Sequence, residues 1–493
     1  MLLGIDLGTG SAKALLLDID GIVVSEASSS YPVQAPHPGW AESDPENWWL
    51  AVALAVRKAV GNRPDRVQAI ALSGQMHGVV LVDEYGKPLY SAILWADTRS
   101  SEMLNIYHSL DAGILKGLGN PIAAGMAGPT LLWLQKHQPT IYTQARWALQ
   151  PKDWLRLQLT GEVATEPSDA SGTLLYNVGS DDWAWDAVSA LNLRSDWLPK
   201  LIPSNAIAGC LTTTASEHLG LPIGLPVVAG AADTAAAMLG NGLIEPGLVQ
   251  LTIGTGAQII TLRSQPILDP QGCTHLYRAA TPNQWYTLAA MQNAGLALEW
   301  VRSILGLSWQ QVYREAFSIV PGCEGLTFLP YLTGERTPHL DPQARGAWVG
   351  LGLHHTRIHL MRAALEGVAF SIKQGLEALE ATGVTVTELR LAGGGTVEMD
   401  WQQLLADVLK RPLYTMPIAA ASARGAALLA GIGIGVYADA QATLPLTAKP
   451  TLTATPNGFD LALEEAWTRY QSLYPQLKKR ERKFELDLQH HLR

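Results

Sequence analysis

Cysteine is scarce: Cys210, Cys273 and Cys323 are the only three in 493 residues, and they lie far apart. That excludes a disulfide framework and any CxxC metal spacing, and a cytoplasmic, reducing setting is expected. No run of about 18 uncharged apolar residues occurs, so no membrane-spanning helix is expected. The opening MLLGID lacks a basic region and runs straight into strand-like sequence, so no signal peptide is expected. Positive charge is in deficit, with 35 Lys and Arg against 44 Asp and Glu and a formal charge of −9. A general nucleic-acid binder needs basic patches, so that class is set aside. The one basic cluster, LKKRERKF (477–484), reads as the solvated face of a terminal helix. Neither a Walker A loop nor the protein-kinase loop set is present.

What remains is globular: 47% hydrophobic, 16% charged, and long enough for two or three domains. LLGID, AKALLLDI and GIVVSEAS read as three successive strands. ESDPENWWLAVALAVRKAV then reads as a helix, with Asp44 as N-cap and Pro45 at the first helical position. VQAIALSGQ is a strand again. This β-β-β-α-β order differs from the alternating βαβ of a dinucleotide-binding unit.

The opening IDLGTGSAKALLL has an internal echo in LTIGTGAQIITL (251–262). In both, a strand meets Gly-Thr-Gly and a second strand follows, which implies two related halves. Asp6 aligns with Thr252, so only the first copy carries an acid. Glycines and Pro246 in AAMLGNGLIEPG (236–247) suit a connector. The expected division is therefore residues 1–243, 244–445 and a helical C-terminal segment at 446–493.

A Gly-Thr-Gly turn bares backbone N–H groups and can accept phosphate oxygens. Two facing copies can grip a phosphate chain, and Asp6 can hold Mg²⁺ through its waters. A plain glycine hairpin is the alternative. LAGGGTVEMDW (391–401) sets three glycines between a strand and a helix start, a place that attracts phosphates. Asp233, after the strand-like LPVVAGAA, is either an N-cap or a carboxylate that accepts a hydroxyl proton; the pattern leaves both open. His77 in SGQMHG stands in a glycine-flanked loop. ILWADTR (93–99) offers Trp95, Asp97 and Arg99, either to a polyol or as a packed Trp beside a surface ion pair. HTRIH (355–359) lacks the Glu of HExxH and a third ligand, so zinc is not expected.

Together these stretches resemble the FGGY family of carbohydrate kinases, within the actin-like ATPase superfamily. The likeness covers about residues 1 to 440. Its specific wording lies in PHPGWAESDPENWW, SGQMHG, PKDWLRLQLTGE, SDASGT and PYLTGERTPHLDPQARGAWVGL. The resemblance implies an α/β, two-domain, ribonuclease H-like fold with a nucleotide cleft between the domains. The first domain would carry the sugar site and the catalytic acids, and the second most of the nucleotide site. It implies ATP and Mg²⁺, and phosphorylation of a terminal hydroxyl of a small ketose, D-xylulose first, D-ribulose second and other polyols behind; an actin-like ATP-binding protein without sugar chemistry is the remaining alternative. Asp233 then corresponds to the catalytic base and Asp6 to the magnesium-associated acid. Met76, His77, Trp95 and Thr234 fall at the sugar. Thr9, Gly10, Ser11, Lys13, Gly254 and Thr255 fall at the phosphates, and Gly394 and Gly395 at the adenosine end. Three positions depart from the family's usual wording: Ala96, Thr234 and Arg424. No nucleic-acid or membrane partner is implied, and the chain is expected as a monomer or homodimer.

Overall fold

The computed structural model describes residues 1–416, 418 and 420–491, with side chains through residue 479. The chain begins with the expected hairpin: β1 (Leu2–Leu7) pairs antiparallel with β2 (Ser11–Leu17), and β2 with β3 (Val23–Ser30). Helix α1 (Pro45–Val60) follows, with Pro45 in its first turn. Its N-cap Asp44 accepts from the amide of Glu46 at 3.0 Å. Strand β4 (Ala69–Gly74) returns parallel to β1. Helix α2 (Pro151–Thr160) precedes an edge pair, β5 (Ile207–Cys210) and β6 (Pro226–Ala232). The first sheet runs β5-β6-β4-β1-β2-β3. Its four inner strands are nearly all buried, with apolar runs packed on both faces, while the edge strands β3 and β5 have no buried residue.

Helix α3 (Asp233–Gly240) leaves β6 and ends in the glycine turn before β7 (Val249–Ile253) and β8 (Ala257–Arg263). Strands β9 (His275–Arg278) and β10 (Trp285–Met291) extend the β8 side. After α4 (Gly295–Ile304) and the 24-residue α5 (Arg357–Glu380), β11 (Leu389–Ala392) joins parallel to β7. Helix α6 (Met399–Leu409) leads to β12 (Leu413–Thr415), parallel to β11. The second sheet runs β9-β10-β8-β7-β11-β12-β13, where β13 is Thr451–Ala454. Each sheet thus contains a hairpin with an antiparallel strand beside it on one side, and two parallel strands and an antiparallel edge strand on the other. The Gly-Thr-Gly echo therefore extends to six strands, and β9 is an addition to the second sheet.

Two parts of the expected division need correction. The segment 446–493 is not wholly helical: β13 closes the edge of the second sheet before α8 (Leu461–His491) begins. Leu463, Ala466, Trp467 and Tyr470 of α8 then enter the second core. The basic cluster lies on α8, but from residue 480 its side chains are outside those described. The second correction concerns α7 (Ala421–Gly433), which comes late in the chain yet lies on the first sheet. Its Ala423, Ala426, Ala427 and Leu428 share a core with Leu2, Leu15, Leu17 and Ala71. It also crosses α3 at backbone contact: a Cβ on Gly425 would sit 1.8 Å from the Ala236 carbonyl oxygen. Only glycine permits that approach. Arg424, one residue earlier, is explained by the same placement. It donates to the carbonyls of Gly21 (2.8 Å) and Leu446 (2.7 Å), tying the first sheet's turn to the second half.

Candidate active site

Parallel strands gather functional groups at their carboxyl ends, and the first sheet does so. Asp6 sits near the end of β1, opposite Ser73 of β4 in register, and the Ser73 hydroxyl donates to Asp6 Oδ1 at 2.9 Å. Asp233 begins α3 directly after β6, two strands from β1, or about 10 Å at ordinary strand spacing. Met76 and His77 follow β4 at the same edge. Asp6 and Lys13, cross-strand partners on the first hairpin, line a cleft of about 1110 Å³. Its other wall comes from the second half, with Thr252, Gly393, Gly394, Val397 and Met399.

The two turns are tied back alike, though the first is one residue longer. In the first, Gly8 N–H closes the turn onto the Ser11 carbonyl at 3.0 Å. The Gly8 carbonyl is held from behind by the Tyr31 hydroxyl and by Gln75 Nε2 (3.2 Å), and the Gly10 carbonyl by the Tyr31 amide (3.1 Å). In the second, Gly254 N–H closes onto the Gly256 carbonyl at 2.8 Å. The Gly254 and Thr255 carbonyls take the amides of Gly295 (3.0 Å) and Ala294 (3.1 Å). Among the described residues the amides of Thr9, Gly10, Thr255 and Gly256 take no acceptor. With the carbonyls tied back and the N–H groups free, each turn can bind anionic oxygen. Ser11 serves the first turn through its carbonyl, and Gly256 joins the expected Gly254 and Thr255.

The glycines at the far wall divide by role. Gly393 has φ +89°, and a Cβ there would lie 2.4 Å from the Ile253 carbonyl oxygen. Gly394 has nothing within 4 Å of that direction and lines the cleft. Gly395, expected beside it, faces Ile253, where a Cβ would lie 2.8 Å from the Ile253 side chain, and its carbonyl takes Trp401 Nε1 at 3.0 Å.

Electrostatics set the two acids apart from ordinary carboxylates. Burial raises Asp6 above the usual range, with Ser73 and Lys13 opposing. Burial, and then the charge of Asp6, push Asp233 up to about 7. The N-cap alternative for Asp233 is corrected: the cap position is Ala232, and Asp233 is the first helical residue. Asp233 Oδ1 takes both the amide (2.5 Å) and the hydroxyl (3.1 Å) of Thr234, which leaves Oδ2 free. Thr234 thus bonds the neighbouring carboxylate, where a sugar contact was expected.

His77 has φ +73° and is fixed from both sides. Its amide donates to Gln150 Oε1 at 2.9 Å, and its Nδ1 lies 2.6 Å from the Gly172 carbonyl. Nδ1 therefore carries the proton, and Nε2 is left as an acceptor. Burial lowers the ring to about 4, so it is neutral near pH 7. Met76 is buried, with its sulfur taking the Tyr286 hydroxyl at 3.7 Å. The Trp95 ring is 45% exposed, and its Nε1 donates to Thr9 Oγ1 at 2.9 Å, which joins the aromatic to the first turn.

Other expected chemistry proves to be support. Asp97 and Arg99 form a buried pair, not a surface one. Arg99 also binds Glu42 at 2.8 Å and stacks on Trp40 at 3.5 Å. The motifs around residues 152 and 168 enclose Lys152, Asp153, Arg156, Glu166 and Asp169, all within 2% of full burial. Two cations face three acids. Burial, with the neighbouring carboxylates, pushes Asp169 well above the usual range against the opposing charge of Lys152. Glu166 accepts from Ser168, and Ser168 Oγ accepts the Ala232 amide at 2.9 Å, which holds the strand end before Asp233. Glu324 does supply a third group beside His354 and His355, with ligand atoms within 4.8 Å of one another. The Gly352 amide occupies His355 Nδ1 there, at 2.8 Å. Residues not foreseen are Asn241 and Gln250, which line the cleft and pass a hydrogen-bond chain to Thr252 (2.7 and 2.9 Å). Gln250 lies two residues before Thr252 on β7, so strand alternation was the one available signal.

Residues 1–240 match the N-terminal domain, and 249–434 the C-terminal domain, of the FGGY family of carbohydrate kinases. A xylulose kinase of Escherichia coli (strain K12) is 36% identical over 436 residues, which is 88% of this chain and 90% of that protein. A xylulose kinase structure from Brucella ovis superposes with TM-score 0.91 at 34% identity, covering 97% of this chain and 99% of that one. A gluconate kinase structure from Lactobacillus acidophilus gives 0.88 at 26% identity, covering 98% and 97%. Among the described residues no helix is long and apolar enough to cross a membrane.

Proposed function

Because the chain belongs to the FGGY family of carbohydrate kinases, with the two-domain actin-like ATPase architecture, and so is an ATP-dependent sugar kinase, we propose that its acceptor is a ketopentose, D-xylulose before D-ribulose. The observation that carries the site assignment is the pair Asp6 and Asp233 at one sheet edge, one of them lining a cleft whose opposite wall is the second half. ATP would place its phosphates at the free amides of the two turns and its adenosine toward Gly394, Val397 and Met399. Asp6 suits Mg²⁺: one buried carboxylate, steadied by Ser73 and with an oxygen to spare, matches a cation that keeps waters and takes the rest from phosphates. When bound, the ion neutralises phosphate charge. Asp233 Oδ2 orients the sugar hydroxyl and takes its proton late, since phosphoryl transfer is loose. His77 Nε2 accepts a hydrogen bond from another hydroxyl. Exclusion of water from the cleft guards against ATP hydrolysis.

A panel of D-xylulose, D-ribulose, gluconate and glycerol in an ADP-release assay tests the acceptor. The highest kcat/KM is expected with D-xylulose; a higher value with gluconate would overturn the ketopentose assignment. A second expectation concerns His77. His77→Ala should raise the sugar KM by about tenfold or more, because a buried site that loses a hydroxyl partner discriminates strongly. ATP binding should hold, and a parallel loss of nucleotide affinity would make His77 a purely structural residue.

A further inference from the structure

The segment around Arg336 has no part in the scheme so far. Its backbone is held rigidly. Glu335 and Asp341 exchange backbone hydrogen bonds at 2.8 Å each way. Tyr474 and Lys478 of α8 grip the Asp341 side chain at 2.6 and 2.8 Å. Glu335 Oε1 takes the amides of Gln292 (2.6 Å) and Arg336 (2.8 Å), and Thr337 bonds both ways with Ala290 of β10 (2.9 and 3.0 Å). From this frame the half-buried Arg336 extends to His275 on β9, with NH2 to Nε2 at 2.8 Å.

The tautomers follow from the donor. A guanidinium only donates, so His275 Nε2 accepts and Nδ1 carries the proton. Nδ1 then donates to the Tyr277 hydroxyl oxygen at 2.9 Å, which leaves the tyrosine's own proton free. The Tyr277 ring stands 5.9 Å from the His77 ring and 5.5 Å from Tyr286, whose hydroxyl meets Met76. Burial and the Arg336 charge keep His275 neutral. The chain Arg336–His275–Tyr277 therefore ends beside the Met76–His77 pair. Among the described residues Arg336 has no carboxylate within 4.0 Å, and one of its N–H groups has a side-chain partner. Buried arginines elsewhere spend more of their donors: Arg99, Arg156 and Arg362 each meet a carboxylate, and Arg263 and Arg424 each donate to two residues. The idle donors of the half-buried Arg336 can exchange water for a ligand oxygen.

We propose that Arg336 is a further acceptor-binding residue, held by His275, which presents its spare N–H groups to sugar oxygens other than the hydroxyl that reacts at Asp233. The assignment rests on the kinase reading above. Hydroxyl and carbonyl oxygens of a ketose satisfy these donors, and so does the carboxylate of a sugar acid. Steady-state kinetics on the wild type, R336Q and R336K, with D-xylulose and with gluconate, separate these cases. For R336Q, the D-xylulose KM should rise about tenfold or more, the loss expected for a charge-assisted hydrogen bond. The ATP KM and the melting temperature should hold. R336K should recover part of the loss, since a point charge cannot reproduce the planar fork. A D-xylulose KM within about twofold of wild type overturns the proposal, as does an equal rise in the ATP KM. Loss confined to gluconate overturns the ketose assignment of the donors. If R336Q fails to fold, R336K decides: a sugar KM raised about threefold or more supports the proposal, and an unchanged one overturns it. Wild-type protein inactive on every acceptor refutes the underlying reading, and a wild type active on another acceptor moves the same comparison to that sugar.

Discussion

Asp233→Asn is expected to lower turnover by roughly 10²–10⁴-fold, the usual contribution of a positioned base. Asn keeps the volume and can still accept from Thr234, so the fold and ATP binding should persist. What it loses is the ability of Oδ2 to take a proton. The pH profile supplies a second signature. With its acid group raised to about 7, the free enzyme loses the ionised base as pH falls through that value. kcat/KM should therefore fall on the acid side, about tenfold per pH unit once below the midpoint. Part of the shift comes from the charge of Asp6. Saturating Mg²⁺ offsets that charge and should move the acid limb downward. The limb should vanish in the Asn variant. Sugar-dependent ADP release and thermal unfolding on one preparation provide the check. A stable variant with turnover within about threefold of the parent would refute the base assignment.

Asp6→Ala should be comparably damaging, with turnover lost by on the order of a thousandfold or more. That corresponds to the several kcal/mol of charge stabilisation a metal supplies to a phosphoryl group. Stability should hardly suffer. Asp6 has no ion-pair partner within 4.0 Å among the described residues, and burial already works against its charge. The Ser73 hydroxyl, left without its acceptor, still lies at the cleft edge. Activity measured across Mg²⁺ concentrations, with circular dichroism on the same sample, tests this. Near-normal turnover at ordinary Mg²⁺ in a folded variant would remove Asp6 from the metal site.

Much of this was legible because it is local. A strand that ends on Asp6, turns on Gly-Thr-Gly and starts again needs only a few consecutive residues, and the second copy supplied a control. The family likeness carried the assignment of Asp233, which pattern alone left divided between cap and base. The rest depends on contacts between distant segments. Nothing in ILWADTR shows that Arg99 finds Glu42, 57 positions away, and stacks on Trp40. The free oxygen of Asp233 follows from a rotamer shared with Thr234. The Arg336–His275 contact joins residues 61 apart. Domain limits were drawn along the chain, where the packing of α7 obeys a different order.

That packing bears on how the protein is made. The first sheet gains one of its covering helices only after residue 433 has left the ribosome, though its last strand is complete at residue 232. At translation rates of about 5–20 residues per second, the wait is roughly 10–40 s. During it, the apolar face formed by Leu2, Leu15, Leu17 and Ala71 lacks its cover. The first half is thus expected to be prone to aggregation until the second half arrives. Residues 1–243 produced alone should expose a sticky surface, and adding the missing half in trans must thread Gly425 against Ala236 to bury it.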